Sequence, residues 1–164
     1  MTRAKGPKFT LYPRRRREEK TNYRRRLAQI KAGKTRMVVR RSNKNIAVQF
    51  VNFDPAGDRT VAAVDGRHLE KEYKWPSKRN VWTAYLAGLE AGRKAQEKGV
   101  KEFILDMGMY TPSKGSVVFA ALKGAVDSGL KTDFDKEMVP EDKLSSPPES
   151  YKSKFEELKG KIAG

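Results

Sequence analysis

Positive charge is crowded into one end of this 164-residue chain. Residues 1–41 carry 16 Lys and Arg against only Glu18 and Glu19, a net charge of +14. Residues 42–164 carry 20 basic and 18 acidic side chains, a net charge of +2. A block of like charge repels itself and cannot close around a core. The chain therefore reads as a basic arm on a nearly balanced body, and the arm needs a polyanion. Nucleic acid is the first choice, because a guanidinium grips phosphate with forked donors. An anionic membrane surface comes second, and a solvated tail that only aids solubility third.

Composition narrows the rest. A hydrophobic fraction of 37% can fill one core. The chain has no cysteine, which excludes disulfides, thiolate metal sites and cysteine nucleophiles. No stretch reaches the roughly 18 apolar residues of a membrane span. No apolar run follows the N-terminal basic residues, so no secretory signal is expected. The expectation is a soluble intracellular protein.

Residues 1–13 read as extended, with helix breakers Gly6, Pro7 and Pro13 and with Phe9, Leu11 and Tyr12 among the basic residues. Such aromatics can stack on bases or anchor a protein. RRRREEKTNYRRRLAQIKA, residues 14–32, predicts one helix, with Gly33 just past its end. Tyr23, Leu27 and Ile30 form a narrow apolar stripe on it, and the other faces are mostly Arg. A calmodulin-like partner or a membrane could also use such a basic amphipathic helix.

The period then changes. RMVVRR, IAVQFVNF and RTVAAVD predict three strands, separated by the short spacers Ser42–Asn45 and Asp54–Asp58, hence an antiparallel meander. Ile46, Val48 and Phe50 point one way; Ala47, Gln49, Val51 and Phe53 point the other, so both faces are expected to be partly covered. Ser77 is expected to cap a helix running to about Lys98, whose small residues, Gly88 and Gly92 among them, would let it lie close to the sheet. VKEFILD, residues 100–106, predicts a buried strand, GMYTPSKGS a loop, and Val117–Ser128 a second helix. The alternation implies a parallel crossover. From Lys131 the pattern dissolves into charge and proline. Ser146-Pro147-Pro148-Glu149 then matches a capping box before a helix carrying Tyr151, Phe155, Leu158 and Ile162. The expected architecture is an α/β body at 36–135 with a mixed sheet and packed helices, a basic arm at 1–35 and an extension at 136–164.

Catalytic chemistry is scarce. Lys114-Gly115-Ser116 follows Gly108 and five further residues, which fails the phosphate-loop order G-x-x-x-x-G-K-[ST]. What survives is Lys114 beside a helix start, able to hold one phosphate oxygen, with a plain capping loop as the equal alternative. Asp65 and Asp106 fall at strand ends, where a metal-dependent nuclease would keep carboxylates, but turn and capping roles are far commoner there. His68 is the single histidine and, with no recognisable partner, reads as a surface loop residue. Trp75 and Trp82 read as packing residues rather than stacking platforms. The residues point to nucleic-acid binding without catalysis, metal, cofactor or small-molecule substrate.

YPRRRREEKTNYRRRLAQIKAGKTRMVVRRSNKNIAVQ, residues 12–49, resembles the start of the ribosomal protein L eighteen family, and GSVVFAALKGAVDSGL, residues 115–130, resembles that family's second crossover helix. The resemblance spans roughly residues 5–135 and favours the archaeal and eukaryotic branch. It implies a ribonuclease-H-like strand arrangement without nuclease activity, and a cytoplasmic place in the large ribosomal subunit. It also implies 5S rRNA binding in the central protuberance, beside the large-subunit rRNA and ribosomal protein L five. By motif match, the RNA-binding residues would be Arg14, Arg15, Arg16, Arg17, Tyr23, Arg24, Arg25 and Arg26 in the arm. Arg40, Arg41, Ser42, Asn43 and Lys44 would follow on the first hairpin, with Tyr110 and Lys114 from the crossover loop.

Overall fold

The computed structural model describes residues 6–7 and 9–163; the part of the extended reading that falls on residues 1–5 and 8 lies outside them. In chain order the helices and strands are α1 (Arg14–Arg17), α2 (Tyr23–Lys31), β1 (Thr35–Arg41), β2 (Ile46–Asn52), β3 (Arg59–Asp65), α3 (Gly66–Tyr73), α4 (Val81–Glu97), β4 (Phe103–Asp106), α5 (Val117–Asp127), α6 (Glu141–Ser145) and α7 (Glu149–Ala163).

The strands form one sheet in the order β3-β2-β1-β4. β1 and β2 pair antiparallel, as do β2 and β3, while β4 runs parallel to β1 with Val38 opposite Asp106. This is the mixed sheet expected from the sequence: a three-strand meander and one crossover strand. Side chains alternate across a strand. Met37 and Val39 of β1, with Ile46, Val48 and Phe50 of β2, are fully buried on one face. There the Phe50 ring meets Phe103 edge-on at 5.5 Å, and α4 and α5 cover them.

α4 and α5 approach each other unusually closely. A Cβ on Gly88 would lie 2.0 Å from the Ala121 carbonyl oxygen, and one on Gly124 would lie 2.1 Å from that of Tyr85. Gly92 faces Ser128 and Ala125 in the same way. The small-residue stripe of α4 therefore fits α4 to α5, not to the sheet as expected. α7 adds Phe155, Leu158 and Ile162 to the core, and its half-buried Tyr151 stacks on Trp82 at 6.1 Å. Trp75 is 1% exposed and donates from Nε1 to Thr83 Oγ1 at 2.8 Å. Trp82 donates to the Lys143 carbonyl at 3.1 Å. Both tryptophans are packing residues, as expected.

Several elements differ from expectation; β4, expected at 100–106, is only Phe103–Asp106. The single arm helix is broken into α1 and α2, with Glu19 at φ 52° between them. Asn22 accepts from the Arg25 amide at 3.1 Å, so its side chain starts a new helix instead of continuing the old one. The helix placed from Ser77 begins at Val81, because Asn80 is the cap and accepts from the Thr83 amide at 2.7 Å. Neither α3 nor α6 was expected. Asp65 starts α3 by accepting from the His68 amide at 2.8 Å, and α6 follows Pro140.

Candidate nucleic-acid interface

The alternation that buries Met37 and Val39 sends Arg36, Val38 and Arg40 to the other face of the sheet. Among the described residues no long helix covers that face. The arm lies over it, and the two enclose a cleft of about 480 Å³. Arg15, Lys20, Arg25 and Arg26 line it from the arm, Arg36 and Arg40 from β1, and Gly108 and Pro112 from the crossover loop. Asp58 and Asp106 are the acidic residues among its lining. Arm, first hairpin and crossover loop, far apart in sequence, thus meet at one cationic cleft.

The cleft is organised by a ladder of alternating charge. Arg26 Nη2 lies 2.8 Å from Asp58 Oδ2, and Arg36 Nη2 lies 2.6 Å from the same oxygen. Arg36 reaches Asp106 Oδ2 at 3.4 Å, and Arg40 Nη2 reaches Asp106 Oδ1 at 3.0 Å. Arg40 also donates to the Asp106 carbonyl at 2.7 Å, and the Gly108 amide donates to Asp106 Oδ1 at 2.8 Å. Arg36 is 3% exposed, and these two carboxylates offset the cost of burying its charge.

The remaining site residues are placed as follows. Arg14, Arg15, Arg16, Arg17, Arg24 and Arg25 are exposed, and the Arg16 guanidinium lies 3.8 Å over the Tyr12 ring. Tyr23 and Leu27 are exposed and Ile30 is half-buried, so α2 meets the body through its polar side. Gln29 supplies a second tie, donating to the Leu105 carbonyl at 3.2 Å. Ser42 is used by its own turn, where its Oγ accepts from the Lys44 and Asn45 amides at 3.3 and 3.0 Å. That turn leaves the Asn43 and Lys44 side chains exposed, and Arg79 braces it through the Asn43 carbonyl at 2.8 Å. Arg41 and Tyr110 are in contact. Lys114 is not among the cleft residues; it stands exposed before α5, with its Nζ 3.9 Å from Glu137 Oε2.

Arg36, Asp58, Gln29 and Arg79 were not singled out from the sequence. For Arg36 a signal was present, since strand alternation sets it opposite Met37. Asp58 read only as part of a turn.

The candidate catalytic groups do not converge. Asp65 caps α3 and accepts from Asn45 at 3.1 Å, while Asp106 is held by arginines. They lie on the two edge strands, three strand spacings or about 14 Å apart. His68 is not a loop residue and has a partner. It sits on α3 with Nε2 2.7 Å from Glu90 Oε1, an oxygen also held by Lys94 at 2.6 Å. The missing partner was invisible because Glu90 belongs to a different helix.

Residues 7–101 match the family model described as ribosomal large subunit proteins 60S L5 and 50S L18. The large ribosomal subunit protein uL18 of Aeropyrum pernix is 48% identical over 139 residues, covering 84% of this chain and 65% of that protein. The uL18 of Saccharolobus islandicus is 41% identical over 142 residues, covering 86% of this chain and 72% of that protein. The chain thus spans about two thirds of the length of these relatives.

Proposed function

Because this chain belongs to the uL18 family of large ribosomal subunit proteins, which are ribosomal proteins and not enzymes, we propose that it is a structural subunit of the ribosome that binds 5S rRNA. The arm and the first hairpin carry the binding, and the protein helps attach 5S rRNA to the large rRNA in the central protuberance, beside ribosomal protein L five. One observation supports this most: arm, hairpin strand and crossover loop meet at a cleft lined by six basic and two acidic side chains. Around it Arg14, Arg16, Arg17, Arg24, Arg41 and Lys44 stand exposed. Structured RNA is recognised mainly by shape, phosphate and 2′-hydroxyl contacts, which exposed guanidiniums on a shaped surface supply.

A gel shift with 5S rRNA, repeated with magnesium and scored for cleavage, tests it. A shifted, intact RNA supports the proposal. Cleavage would restore the nuclease reading, and no shift would overturn RNA binding.

A further inference from the structure

We propose that Asp58, a carboxylate within a cationic surface, is a positioning residue that holds the arm in its RNA-binding pose. It thereby strengthens recognition of the specific RNA, although its own charge repels phosphate. The inference rests on the reading that arm and hairpin bind 5S rRNA.

α2 has little else to hold it. Of its apolar stripe Tyr23 and Leu27 are exposed and only Ile30 is half-buried, so the stripe fastens the helix weakly. Its polar ties to the body are Arg26 with Asp58 and Gln29 with the Leu105 carbonyl. Asp58 is itself well anchored, because its Oδ2 accepts from the buried Arg36 at 2.6 Å. Arg36 in turn is fixed in the sheet and also reaches Asp106. The carboxylate that Arg36 requires therefore has one oxygen shared with Arg26 at 2.8 Å. Strand β1 is linked through Asp58 to the basic helix α2, and the orientation of the arm follows.

Two effects then act with opposite sign. Removing a negative charge from the cleft strengthens contact with any polyanion. Releasing α2 weakens binding to the one RNA whose shape fits the docked arm, because the arm must then be ordered during binding. Simple electrostatics predicts that Asp58→Asn binds every RNA more tightly. Positioning predicts a loss confined to the specific RNA.

The test uses the full chain unaltered and as Asp58→Asn, Arg26→Gln and the double variant. Hydrogen exchange of residues 23–31 is measured without RNA. Affinity is measured for 5S rRNA and for a scrambled RNA of equal length, at one salt concentration. Both single variants should exchange faster in α2. Asp58→Asn should lose roughly tenfold in 5S affinity, the effect of leaving several long side chains to be ordered on binding, while holding or gaining affinity for the scrambled RNA. The double variant should lose less than the sum of the singles, because both remove one link. Equal affinity of the unaltered protein for the two RNAs overturns the 5S reading. A 5S preference of the unaltered protein that is undiminished in Asp58→Asn overturns the role of Asp58 alone. Should Asp58→Asn abolish the cooperative melt, Arg26→Gln, which leaves the Arg36–Asp58 pair intact, decides the matter: unchanged exchange in α2 overturns the inference.

Discussion

The Tyr110 hydroxyl donates to the Arg41 carbonyl, and the Tyr110 ring lies 5.6 Å beneath the Arg41 guanidinium. The crossover loop is thereby joined to the end of β1, so the two segments present one surface. An aromatic ring under an exposed cation contributes about 0.5–1 kcal/mol. Tyr110→Ala is expected to weaken 5S rRNA binding by about two- to fivefold, the equivalent of that energy. Tyr110→Phe, which keeps the ring, should fall between. Filter-binding titrations of the three proteins check this, and an alanine variant that binds like the unaltered protein would separate the pair from the interface.

Salt dependence follows from the net charge of +14 on residues 1–41. If the arm neutralises six to ten phosphates, affinity should fall roughly 10³- to 10⁵-fold between 50 and 200 mM salt. A nearly flat plot of log affinity against log salt would contradict binding through phosphates.

Deletion of residues 1–33 should leave a protein that melts cooperatively but has lost most of its RNA affinity. The core lies on the face of the sheet covered by α4 and α5, and the described residues of the arm line the cleft on the other. The melting temperature should drop modestly, since Asp58 and the outer face lose their cover. Circular dichroism and a binding titration on the same truncated protein measure both. A non-cooperative melt would show that the arm belongs to the folding unit.

Tyr85 offers a pH-dependent test. Its ring is buried, and its hydroxyl donates to Asp127 at 2.8 Å, so burial first and the carboxylate second push its pKa well above the usual value of 10.0. An acid whose folded pKa is raised stabilises fully below the unfolded value and loses that contribution as pH rises above it. Above about pH 10 the unfolded chain sheds this proton while the native state keeps it, so stability falls by up to about 1.4 kcal/mol per pH unit. Tyr85→Phe should be less stable at neutral pH and show a shallower decline of melting temperature from pH 9.5 to 11. Parallel curves would remove Tyr85 from the account.

The sheet was legible because its signals are local. Met37 with Val39, and Ile46 with Val48 and Phe50, alternate at period two, and the spacers after Arg41 and Phe53 are short. The buried stripe of α7 was legible for the same reason at helical spacing. α3 was not: Asp65-Gly66 reads as a turn, yet Gly66 is there because a Cβ would lie 2.2 Å from the Lys78 carbonyl oxygen. Half of the candidate site was visible as runs of arginine. Its organisation was not, because Arg26 with Asp58 and Arg36 with Asp106 are separated by 32 and 70 residues, and charge pairing at that distance leaves no periodic trace.

The surface is expected to recognise one RNA rather than any polyanion. Labelled 5S rRNA held by the full chain is challenged with a rising excess of unlabelled scrambled RNA of equal length, then with unlabelled 5S rRNA. Displacement by the scrambled RNA should need on the order of 10³-fold more competitor than displacement by 5S rRNA, the usual lower bound for specific nucleic-acid recognition. Displacement by both RNAs at the same concentration would contradict it.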